Sequence, residues 1–196
     1  MGGLGRLREA VGRFSRLVRL TSNEQVLLQD GAEILRDLIS TDDWLPDAFA
    51  APGPERYQQY LLHCDSEELF SIVSFVWGPG QSTPVHDHTV WGLVGVLRGA
   101  EKAQRFAWQP NGELASTGEP ELLTSGDVDA VSPAVGDIHR VSNAFPDRTS
   151  ISIHVYGANI GAVHRSTYGA DGARKAFISG YANEVLPNLW DKSTLS

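Results

Sequence analysis

The sequence predicts a mainly β protein in which two N-terminal helices lean on a β-barrel or jelly roll. Three observations carry that prediction. Apolar residues recur at helical spacing over residues 4–20 and 23–39. From about residue 55 the chain breaks into short apolar or alternating runs separated by turn residues, at the spacing of an all-β sandwich or barrel. Within them "QPNGEL" (109–114) carries the Asn-Gly pair of a tight hairpin.

The first helix places Leu4, Leu7, Val11, Phe14, Leu17 and Val18 on one side, and Ser22 or Asn23 is the expected N-cap of the second. "DDWLPDAFAAPGP" (42–54) reads as a Pro-punctuated connector holding at most one helical turn. "RYQQYLLHC", "LFSIVSFVWG", "VWGLVGVLRG", "AEKAQRFAWQ", "ELLTSGDVDAVS", "DIHRVSN" and "TSISIHVYG" supply the strands. The Gly-rich stretch from 158 has room for two short strands. With 196 residues the chain is expected to form one domain: a helical part at 1–40, a barrel core at 55–168 and an irregular tail at 169–196.

A net charge of −8 argues against nucleic acid as a partner. The charge is uneven. Residues 1–20 hold five arginines and one glutamate, a net of +4, which leaves −12 on the rest. Such a start can be drawn as a transit peptide, but an ordinary surface helix laid on an acidic body is the expected form. No apolar run is long enough to span a bilayer, so no membrane contact is expected. The single cysteine, Cys64, excludes an internal disulfide framework and fits a reducing, cytoplasmic setting. Within "YLLHC" it is expected to be a buried, inert thiol.

Chemistry concentrates in "TPVHDHTVWGLVGVLRG" (83–99). His86 and His88 stand one residue apart, so on a strand both imidazoles face one side and can meet one ion. No carboxylate follows until Glu101. A second run, "SISIHVYG", puts Ser152, His154 and Tyr156 at i, i+2 and i+4 on one strand face. A hydroxyl, an imidazole and a phenol in line can form a hydrogen-bonded relay.

The spacing Gly80-x5-His86-x-His88-x3-Gly92-x6-Gly99 resembles the first signature of the cupin superfamily, with Gly92 where most cupins place a metal-binding glutamate. "GDVDAVSPAVGDIHRVSN" approximates the second signature, with Gly126, Pro133, Gly136, His139 and Asn143 in its frame. That resemblance implies a cupin double-stranded β-helix and adds His139 as a third ligand. Three neutral imidazoles leave a divalent ion its full charge, and suit iron, zinc, copper or nickel.

With the Ser-His-Tyr run beside them, residues 55–168 resemble the thiol dioxygenases, the cysteine dioxygenase family. The resemblance implies Fe(2+) on His86, His88 and His139, and Ser152, His154 and Tyr156 as a catalytic triad with the tyrosine over the iron. The expected reaction adds both atoms of O2 to the sulfur of a small thiol carboxylate, giving a sulfinate. Animal members carry a cysteine near position 92 that crosslinks to the triad tyrosine. Gly92 cannot, so no such crosslink is expected.

Family cysteine dioxygenases hold the substrate carboxylate with an arginine before the histidine pair. Here Gln59 takes the aligned place, as in the bacterial branch acting on 3-mercaptopropionate, and Arg165 in "AVHRSTY" matches that branch's later arginine. Gln59 and Arg165 are therefore the expected substrate-binding residues, and 3-mercaptopropionate is favoured over cysteine. Arg56, three residues away, would replace Gln59 if a bulge swapped their facing. Two other classes compete: a non-catalytic cupin that binds a small acid, and a zinc or nickel cupin isomerase. The protein is expected as a monomer or weak homo-oligomer.

Overall fold

The computed structural model describes residues 3–170 and 172–191. Two helices, α1 (Gly5–Leu20) and α2 (Glu24–Ile39), come first. Asn23 caps α2, its Oδ1 accepting from the Val26 N–H at 3.4 Å. After one 3-10 turn at Asp47–Phe49 come twelve strands: β1 (Gln58–Cys64), β2 (Ser71–Trp77), β3 (Val85–His86), β4 (Gly92–Arg98), β5 (Ala100–Trp108), β6 (Leu114–Ser116), β7 (Glu121–Thr124), β8 (Val128–Val131), β9 (His139–Asn143), β10 (Ser150–Tyr156), β11 (Arg165–Tyr168) and β12 (Arg174–Phe177).

They form two antiparallel sheets. One runs β1-β2-β10-β4-β8; the other runs β12-β11-β3-β9-β5-β6, with β7 also paired to β5. The chain is mainly β, two antiparallel sheets preceded by two helices. The Asn-Gly turn closes the β5–β6 hairpin, with Trp108 opposite Leu114 and Gly112 at φ +82°.

The first sheet is covered on both faces. Ile151, Ile153 and Val155 of β10 join the cluster that includes Leu7, Phe14, Leu35 and Ile39 of the helices. The alternate residues Ser152, His154 and Tyr156 turn into the barrel beside Phe75 and Trp77. Helical cover is close: a Cβ on Gly95 would lie 2.9 Å from Ile39 Cδ1 and Leu35 Cγ. Gly95→Val is expected to lift α2 from β4 and to cost about 1–3 kcal/mol of stability, measured by denaturant unfolding.

The arginines of α1 are largely matched by acids. Arg6 pairs with Asp43 at 3.1 Å, Arg13 with Asp37 at 2.5 Å and Arg19 with Asp65 at 3.0 Å. Its apolar side, Leu7 to Leu17, is buried, so α1 is an integral part of the core rather than a detached amphipathic segment. No described helix is long and apolar enough to cross a membrane. Cys64 is only half-buried, and burial pushes its thiol pKa up, with Glu68 and Asp65 adding to the effect.

Candidate metal centre and its surroundings

His86, His88 and His139 converge. One ring nitrogen from each lies within 4.8 Å of the others, and the ring centroids are 4.8–4.9 Å apart. Pairing in the second sheet explains part of this, because His86 on β3 is the register partner of His139 on β9. His88 arrives differently from the expected strand alternation. β3 ends at His86, and the chain turns through Thr89 at φ +63°. Asp137 holds that turn: its Oδ1 accepts from the His88 N–H at 2.9 Å and its Oδ2 from the Thr89 N–H at 2.9 Å.

Asp137 also accepts from the His88 ring Nδ1 at 3.0 Å, and the Pro84 carbonyl accepts from His86 Nδ1 at 3.1 Å. Each bond fixes the Nδ1–H tautomer and leaves Nε2 as a lone-pair donor. Burial works against the Asp137 charge, but hydrogen bonds from the His88 ring and the two backbone N–H groups outweigh it and hold the carboxyl below its usual range. Burial, aided by the neighbouring His88, takes His86 down to about 3, and burial takes His139 well below its ordinary value. Both rings are therefore neutral at physiological pH, the form that binds a metal.

The residues fit a metal ion. The described group is three buried imidazoles with no carboxylate, and the Nδ1 bonds of His86 and His88 leave a lone-pair nitrogen free on each. Asp137, two residues before His139, was missed by sequence reasoning; its value lies in the turn it holds, which spacing does not reveal. Asp137→Asn is expected to weaken metal binding about 10–100-fold while the protein stays folded, as read by metal competition with a chelator.

Beside the centre the relay is assembled. Ser152 Oγ lies 2.8 Å from His154 Nε2, and His154 Nδ1 lies 2.8 Å from the Tyr156 hydroxyl. Phe75 stacks on His154 at 4.1 Å, and Tyr156 stacks on His88 at 5.5 Å. Burial raises the Tyr156 phenol pKa, so the group is protonated, and lowers that of His154, so the ring is neutral. Gly92 is the register partner of Tyr156, and a Cβ there would stand 2.7 Å from Tyr156 Cδ1. The glutamate that most cupins carry would displace this ring.

A cavity of about 230 Å³ opens on the same centre, lined among others by His86, Gln59, Arg165, Tyr57 and Ser179. Gln59 is the β1 residue that faces it. Arg56 is exposed and precedes β1, and the bulge in β1 comes later, between Leu61 and His63, so it exchanges nothing. The Gln59 amide group, however, donates to Gly180 O at 2.9 Å and to Ser179 Oγ at 3.0 Å. A carbonyl only accepts, so the NH2 end must face it. The amide donors expected for a ligand are already committed.

Arg165, on β11, is 4% exposed and makes no ion pair among the described residues. Its Nη2 donates to Ser179 Oγ at 2.6 Å, and its Nε is buried without a partner. Ser179 Oγ thus accepts from both Gln59 and Arg165, which fills its two lone pairs and leaves its own proton to donate. Ser179 lies in the tail that composition marks only as irregular.

Comparison with known proteins places the chain in a family. The family model described as cysteine dioxygenase type I matches residues 16–167. Cysteine dioxygenase type 1 of Danio rerio is 28% identical over 118 residues, 58% of this chain and 56% of that one. Its counterpart in Homo sapiens is 26% identical over 112 residues, 56% of this chain and 54% of that one. The chain thus spans about half the length of the curated relatives it matches. A protein of Klebsiella pneumoniae described by its double-stranded β-helix domain superposes at a TM-score of 0.46 with 20% identity, over 59% of this chain and 89% of its own. With more than half of its length matched by that family model, the chain belongs to the cysteine dioxygenase type I family.

Proposed function

We propose that the protein is a ferrous-iron thiol dioxygenase whose substrate is a small thiol carboxylate, 3-mercaptopropionate before cysteine. One observation carries the reading: three buried imidazoles without a carboxylate converge, and one of them, His86, lines a cavity together with a buried guanidinium that has no anionic partner among the described residues. Burying an unpaired cation costs several kcal/mol, which a carboxylate arriving with the substrate offsets.

His86, His88 and His139 would hold the iron, which would supply dioxygen activation and a site for the thiolate. Arg165 and the Ser179 hydroxyl hold the far carboxylate by charge-assisted hydrogen bonds, fixing the sulfur at the other end of the short molecule. Gln59 acts through Ser179, orienting its hydroxyl. His154 orients Tyr156, whose proton is available for a hydrogen bond to a substrate beside the metal site. The apolar walls of Phe75 and Phe177 limit water beside the reacting atoms. Both oxygen atoms end on sulfur.

Cysteine is the second reading, favoured by the name the curated relatives carry. Its amine needs an acceptor, whereas 3-mercaptopropionate is satisfied by the anion site alone. Competition between the two thiols, following each sulfinate, is expected to give 3-mercaptopropionate the higher kcat/KM. Gln59→Arg, which places a second guanidinium near the anion site, is expected to move the ratio toward cysteine by about tenfold or more. A wild type that prefers cysteine overturns the substrate assignment. Metal analysis separates this reading from a zinc or nickel isomerase, and oxygen consumption from a non-catalytic binder.

A further inference from the structure

The two short strands at one edge of the second sheet sort their side chains to two faces. Arg165 of β11 is the register partner of Phe177 on β12, and Thr167 is the partner of both Lys175 on β12 and His86 on β3. Residues directly opposite on antiparallel strands share a face. Arg165, Thr167, Phe177 and Lys175 therefore stand on the side of His86, and all five line the cavity of about 230 Å³. The Arg165 guanidinium lies 4.8 Å from the Phe177 ring centroid. The alternate residues point the other way. There Arg174 Nε donates to Ser166 Oγ at 2.6 Å, and the Ser166 N–H and the Tyr168 hydroxyl each donate to Asp87 at 2.7 Å.

Two cations line this cavity and, among the described residues, no acid does, in a chain with 24 acidic and 16 basic residues. The asymmetry is local. The α1 arginines find carboxylates, and Asp87, the acid next to His86, is taken up on the opposite face. Arg165 is buried, whereas Lys175 is exposed while lining the same space, which puts it at the mouth. Its ammonium makes no ion pair among the described residues. A substrate with one carboxylate is satisfied by Arg165 and Ser179 and leaves Lys175 to solvent.

We infer that Lys175 is a second anion-binding group at the cavity mouth, and that the substrate class extends to small thiols bearing two carboxylates. The sulfur sits at the metal site, the inner carboxylate on Arg165 and Ser179, and the outer carboxylate on the Lys175 ammonium. That outer contact is a point charge on a flexible stem, so it accepts a second acid without dictating its orientation. In the reaction the thiol takes both atoms of one O2 and becomes the sulfinate; the carbon–sulfur bond and both carboxylates are unchanged. The reaction rests on the thiol dioxygenase reading, but the binding does not.

Mercaptosuccinate is the probe, since it is 3-mercaptopropionate with one more carboxylate on the carbon that bears sulfur. Both thiols are titrated without oxygen into iron-loaded protein. Lys175→Met should weaken mercaptosuccinate about three- to fivefold and leave 3-mercaptopropionate within about twofold. The difference should shrink as salt is added, and Lys175→Arg should retain it. Lys102→Gln removes the same charge from an exposed position of β5 outside the cavity and should change neither thiol, which separates a local contact from net charge. With oxygen, mercaptosuccinate should give its sulfinate, and Lys175→Met should lower its kcat/KM by the same factor. Mercaptosuccinate binding that Lys175→Met leaves untouched, or an equal loss on both thiols, overturns the proposal, even where 3-mercaptopropionate is turned over normally. Lys175-dependent binding with no sulfinate from either thiol upholds the second anion site and overturns the dioxygenase reading instead.

Discussion

His139→Ala should yield a folded protein that retains no stoichiometric metal and has no measurable thiol-dependent oxygen consumption. Losing a ligand removes more than losing a ligand's partner, so the deficit in metal affinity should exceed the roughly 10–100-fold expected for Asp137→Asn. In metal-free protein His139 Nδ1 has no hydrogen-bond partner, so the mutation removes no hydrogen bond from the fold. Metal content after dialysis, with circular dichroism of the metal-free form as the folding control, checks it. A variant that keeps one equivalent of iron and turns over would remove His139 from the centre.

Arg165→Gln should lower kcat/KM for a thiol carboxylate about 30-fold or more, the cost of losing a buried charged partner of a carboxylate, roughly 2–5 kcal/mol. The loss should be much smaller for a thiol of similar size lacking the carboxylate, because the lost interaction belongs to the anion. Ser179→Ala should act in the same direction and less strongly, since its hydroxyl is neutral. Steady-state kinetics on the paired thiols decides. An equal loss on both would make Arg165 a structural cation.

The parts of this protein that follow from local periodicity are legible in its sequence. Helical spacing predicts residues 4–20 and 23–39 and the structure has Gly5–Leu20 and Glu24–Ile39. Alternation in "SISIHVYG" predicts one polar face, and Ser152, His154 and Tyr156 do share it. What is not legible depends on partners distant in the chain. Strand alternation is the wrong reason for the approach of His88 to His86, because Asp137, 49 residues away, sets that turn. Gln59 reads as a free amide donor until Ser179 and Gly180, about 120 residues later, take both of its hydrogens. Glu101 stands in the sequence only as the first carboxylate after the histidine pair, and it is the closed barrel that makes it wholly buried.

The central claim is that a metal on His86, His88 and His139 places both atoms of dioxygen on the sulfur of a thiol anchored by Arg165. The most direct measurement supplies isotopically labelled dioxygen to the iron-loaded protein with 3-mercaptopropionate and weighs the sulfinate product. Two labelled oxygens per sulfur, formed in step with oxygen consumed and absent from the metal-free protein, is the result this account predicts. Label from water in the product, or a disulfide in place of the sulfinate, would contradict it.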